Sequence, residues 1–168
     1  MVGSNIFGGQ WQEGVRLVTA AYLALPQQSL QKLHVLAAEL REHKCAMQAL
    51  VARVGAAGHC AGCGGECCVA GKYHFTRADL LVYLAFEEPL FEPLFDNGLC
   101  PYLGQAGCLI PVAFRPFNCI TFNCERIEDL LSEDQLANFY RMERELRRCY
   151  GEIRSLFPEQ TMYGALLA

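Results

Sequence analysis

A mainly α fold is predicted: a small helical domain carrying two irregular cysteine-rich segments organised around a metal or cluster site. Apolar residues recur at helical steps of three and four over most of the chain. Eight of the ten cysteines fall between Cys60 and Cys124, on the stretches where that period is lost. The 168 residues are 52% hydrophobic and 19% charged, which suits one domain spanning 1–168 with a sizeable core and is too apolar for disorder.

Trp11, Val15, Val18, Tyr22 and Leu25 mark the first helix, about 10–25, ended by Pro26. Ser29 is a suitable N-cap for a second, about 30–54, whose stripe runs through Leu33, Leu36, Ala37, Leu40, Met47, Leu50, Val51 and Val54 to a capping Gly55. Thr76 with Asp79 reads as a capping arrangement for a shorter apolar helix stopped before Pro89, and Ser132 with Gln135 repeats the signal. The last helix, about 133–157, carries Leu136, Phe139, Tyr140, Leu146, Cys149, Tyr150, Ile153 and Phe157 and ends at Pro158. Residues 1–9 and 161–168 are expected to fray.

Two segments have no helical period: Gly55–Tyr73, with six of the fifteen glycines, and Asn97–Asn123, punctuated by Pro101, Pro111 and Pro116. Both exceed the ~12–15 residues usual for a structureless loop in a compact domain, which points to function or disorder.

The first residues lack the basic start and cleavage site of a secretory signal. The longest apolar stretch, Leu17–Leu25, is far shorter than the ~20 residues a membrane span needs, so a soluble, cytoplasmic protein is expected. Reducing conditions there favour clustered cysteines as metal ligands or redox groups; an exported disulfide-rich protein is the alternative. The net charge of −4 offers nothing for nucleic acid, whose partners are normally basic.

The first cysteine group reads Cys60-Ala-Gly-Cys63-Gly-Gly-Glu-Cys67-Cys68. Glycines beside Cys63 permit a tight turn that aims two sulfurs at one ion. The second group holds Cys100-Pro-Tyr-Leu, Cys108, Arg115-Pro-Phe-Asn-Cys119 and Cys124, with prolines that reduce the entropy lost on gathering the thiolates. Eight thiolates match two tetrahedral four-cysteine sites, or one cluster plus a second ion; zinc and iron–sulfur clusters both suit such donors. Neighbouring side chains diverge, so Cys67 and Cys68 are expected to serve different metals, or one of them to bridge two.

Cys60, Cys63, Cys67 and Cys68, then Cys100-Pro101-Tyr102-Leu103, Cys108, Arg115-Pro116, Cys119 and Cys124, resemble the zinc- or iron-chelating CxxCxxxCC family. These are the YkgJ-like cysteine-cluster proteins, whose motif is shared with flagellin lysine N-methylases. The resemblance covers about residues 60–124, with an interval from Cys108 to Arg115 one residue longer than the family pattern. It implies metal binding and no particular reaction.

Four thiolates on a divalent ion leave a net negative charge that a fixed cation would offset. Arg115 is the candidate, ahead of Lys72 and Arg77, with an ordinary surface or carboxylate-paired arginine as the equal alternative. His59 and His74 flank the first group but are not needed beside eight thiolates. His34 and His43 are expected to be structural or exposed. Glu66 is read as a solvated carboxylate or, at an open metal site, a base. Cys45 and Cys149 are expected in the core, and the mixed charges of 141–154, with Glu143 four before Arg147, on an exposed helix face. Phe86, Phe91, Phe95, Phe114, Phe117 and Phe122 surround the cysteines as core or as a water shield.

No Rossmann pattern, P-loop, HExxH, GxSxG or common ferredoxin run is present. Three functions remain open: a module organised by structural zinc that binds a protein partner, an iron–sulfur oxidoreductase or protein-modifying enzyme, and an exported disulfide protein.

Overall fold

A computed structural model describes residues 3–56, 58, 66–95, 100–104 and 107–167, with the backbone alone at 3–6, 66–69, 107 and 159. Its helices are α1 (Gly3–Leu23), α2 (Gln27–Ala52), α3 (Arg77–Ala85), α4 (Phe117–Thr121), α5 (Glu125–Glu128) and α6 (Glu133–Ser155). Short 3-10 helices occupy Glu66–Tyr73, Val112–Phe114 and Pro158–Gln160. The one sheet among the described residues is a minimal antiparallel pair, β1 (Leu103–Gly104) and β2 (Gly107–Cys108), with Leu103 opposite Cys108.

Pro26 separates α1 from α2 as expected, but it also caps α2, a role the sequence reading gave to Ser29. Its φ of −58° and ψ of 147° leave the carbonyl free to accept the first helical bond, from Leu30 N at 2.9 Å. Ser29 therefore lies inside the first turn. At the other end Gly55 takes φ +73°, a left-handed conformation that suits glycine. The two capping boxes form as predicted: the Thr76 and Ser132 side chains accept from the backbone N–H groups of Asp79 and Gln135, whose side chains accept in return.

Three boundaries differ from expectation. α1 begins at Gly3, crossing Gly8 and Gly9, because Phe7 stacks on Phe95 at 6.1 Å and tertiary packing outweighs low helix propensity. Glu66–Tyr73, expected to be irregular, is a 3-10 helix, the tight form usual in connectors. The C-terminal tail, expected to fray, docks: Leu166 N donates to Phe75 O at 2.9 Å, Ala165 bridges Thr76, and Leu166 and Leu167 are buried. A Cβ at Gly14 would collide with the Leu166 side chain, so α1 lets the tail approach by having none there.

α2 packs along α6, and α1 against α3. The predicted stripe of α2 is buried from Leu33 to Val51, and α3 is buried on nearly every side. Trp11, Phe75, Phe91 and Tyr102 join in an aromatic cluster with ring centroids 5.4–6.1 Å apart. Of the phenylalanines around the cysteines, Phe114 is core and Phe122 is exposed. Tyr140, placed on the inner face of the last helix by its spacing, is exposed and donates to Glu128 Oε1 at 2.9 Å, while Met142 is buried instead. Among the described residues no helix is long and apolar enough to cross a membrane.

One element of the core is charged. Lys44 Nζ lies 3.7 Å from Asp79 Oδ1 with both side chains fully buried. Asp79 also accepts from Thr76 N at 2.9 Å, Thr76 Oγ1 at 2.6 Å and Tyr150 OH. Burial drives the Lys44 pKa down, against the opposing field of Asp79.

Candidate metal centre

The second cysteine group is held by the short elements between α3 and α6. Cys100 is buried and leads into the sheet pair, its carbonyl accepting from Leu103 N at 3.0 Å. Cys108 ends β2 and is exposed. Cys119 is presented by α4, which starts after Pro116, and its N–H donates to Pro116 O at 3.0 Å. Cys100, Cys108 and Cys119 line one cavity of about 740 Å³. Cys124 does not line it; this exposed residue caps α5 with its carbonyl, which accepts from Ile127 N at 2.9 Å.

The segment that follows the first cysteine group reaches the same cavity. The 3-10 helix Glu66–Tyr73 carries the Cys67 and Cys68 backbone, and Gly71, near its end, lies against Cys100 Sγ so closely that any Cβ would overlap the sulfur. Tyr102 OH donates to Lys72 O at 3.1 Å and ties the helix to the sheet pair. One residue past it, His74 Nδ1 stands 3.4 Å from Cys119 Sγ. Burial pushes the His74 pKa down, so its imidazole favours the neutral form that ligates metals. Cys60, Cys63 and His59 lie outside the described residues, as do the side chains of Glu66, Cys67 and Cys68.

Arg115 is on the cavity wall. Its Nε donates to Ile110 O at 3.2 Å and its Nη1 to Gln48 Oε1 at 3.5 Å, so backbone and amide groups orient it. Lys72 and Arg77 do not line the cavity. Lys72 sits over the Tyr73 ring at 4.7 Å, and Arg77 Nη1 donates to Thr161 O at 2.7 Å. Arg147 forms the anticipated ion pair with Glu143 at 2.7 Å, yet both also border the cavity, which the helical charge pattern did not reveal.

The other two cysteines divide. Cys149 is core, donates to Glu39 Oε2 at 3.3 Å, and is pushed up to about 12, chiefly by burial, which keeps it an unreactive thiol. Cys45, expected in the core, is exposed because its position on α2 faces away from the buried stripe.

Soft thiols and an imidazole are donors of the right chemistry for zinc or iron. Among the described residues, however, no three His, Cys, Asp or Glu side chains converge closely enough to hold an ion. No protein-family model matches this chain, and no curated protein or solved structure is significantly similar to it.

Proposed function

We propose that this chain is a metal-binding protein that chelates zinc or iron, the latter as an ion or an iron–sulfur cluster, through Cys60, Cys63, Cys67, Cys68, Cys100, Cys108, Cys119 and Cys124. The supporting observation is that three cysteines from separate short elements line one cavity, and that the segment leaving the CxxCxxxCC run meets two of them, Gly71 against Cys100 and the His74 side chain against Cys119. The resemblance of these cysteines to the YkgJ-like family pattern points the same way. A reducing compartment such as the cytoplasm would keep these thiols available. Bound metal would fasten the two cysteine segments to each other and to the helices, and Arg115 would offset part of the thiolate charge.

A second reading is favoured by the size of the cavity. A closed four-ligand structural ion needs no neighbouring space of about 740 Å³. A substrate held beside the centre would use it, as in an iron–sulfur oxidoreductase or a protein-modifying enzyme.

Metal and acid-labile sulfide content, with an absorption spectrum on protein purified without oxygen or added metal, separates the readings. Zinc in a colourless sample supports a structural centre and a protein-binding module. Iron with sulfide and a broad visible band supports the redox enzyme. Metal-free protein with its clustered thiols oxidised overturns both.

A further inference from the structure

We infer that His74 and Cys119 ligate one zinc ion together, which makes part of the centre a mixed thiolate–imidazole site. This rests on the metal-binding function proposed above and goes beyond it, since eight cysteines alone require no histidine.

The two side chains stand at a hydrogen-bonding distance that also fits two ligands sharing an ion. Zinc–sulfur and zinc–nitrogen bonds of about 2.3 and 2.05 Å at the tetrahedral angle place the two donors about 3.6 Å apart. His74 Nδ1 and Cys119 Sγ are 3.4 Å apart, which the same bond lengths accommodate with an angle at the metal of about 100°. The two residues are 45 positions apart in sequence, so the fold and not local chain geometry brings them together.

Both side chains are held by short, well-anchored backbone. His74 N donates to Gly71 O at 3.0 Å at the end of the 3-10 helix, and α4 fixes Cys119 behind Pro116. Little rearrangement is then needed to close on an ion. Both residues line the large cavity, and His74 also borders a smaller one of about 240 Å³ on the side of Arg147 and Arg154.

The donor set also selects the metal. Mixed cysteine–histidine sites are typical of zinc, whereas common iron–sulfur clusters are held by four cysteines.

The test loads the full chain, reduced and metal-free, with zinc and compares it with H74A and H74C. Zinc affinity is read by competition with a chromophoric chelator, donor type by X-ray absorption at the zinc edge, and helix content by circular dichroism. Wild type should show sulfur plus nitrogen scattering. H74A should keep its helices and lose affinity at one site by at least the 10–100-fold typical of a disturbed metal shell. H74C should restore binding with sulfur-only scattering. If H74A binds zinc with unchanged affinity, and wild type shows sulfur scattering alone, His74 is not a ligand and the cysteine centre stands without it. If wild type binds no zinc but holds an iron–sulfur cluster, the mixed zinc site is wrong while metal binding survives. If wild type takes up neither, metal binding itself is wrong.

Discussion

At the scale of single residues, Lys44 shows how a charge can occupy a place in an apolar stripe. It follows Leu40 by four and precedes Met47 by three, on the face that packs against α6. Asp79 supplies its counter-charge, and that carboxylate is satisfied in addition by Thr76 and Tyr150. Removing the carboxylate leaves a buried ammonium unpaired, so Asp79→Ala should cost about 3–5 kcal/mol in denaturant unfolding. Lys44→Met should cost less, because Asp79 keeps its hydrogen bonds. The pH dependence has a defined sign. Burial puts the folded Lys44 pKa below the unfolded value of about 10.4, so between the two the unfolded chain binds more protons. Wild-type stability should therefore rise relative to Lys44→Met as pH climbs through that window, and stability curves parallel across it would exclude a depressed Lys44.

At the scale of elements, helix starts divide by mechanism. The Thr76 and Ser132 boxes were legible because two residues three positions apart carry the whole signal, and both form. Ser132→Ala should remove about 1 kcal/mol from thermal or denaturant stability, with α6 fraying at its first turn in hydrogen exchange. Thr76→Ala should cost more, since its hydroxyl also donates to buried Asp79. Ser29 misled because proline one helical turn earlier already supplied a preset φ and a free carbonyl. The length of α1, the docking of the tail and the exposure of Tyr140 depend on partners distant in sequence, which local periodicity does not encode.

For the molecule as a whole, the helices and the cysteine segments have different sources of order. α1, α2, α3 and α6 bury a continuous apolar core, while the described elements that carry the clustered cysteines are short. Chelation of the proposed metal should therefore leave most of the far-ultraviolet helical signal intact. It should also lower the melting temperature and expose the clustered thiols to alkylation, with buried Cys149 protected throughout. Thiols that react equally before and after chelation would separate the cysteines from any metal.

The sequence by itself determined the mainly helical class, the two capping boxes, the face of α2 and the existence of two cysteine-rich stretches. Each is written in residues a few positions apart, and the physics that reads them is local: helical period, capping and proline geometry. Only the tertiary structure decided that Gly71 meets Cys100, that His74 meets Cys119, that Arg147 borders the cavity and that Lys44 is buried against Asp79. Those pairs are brought together by the packing of helices across the core, and no short stretch of sequence carries a distance of that kind.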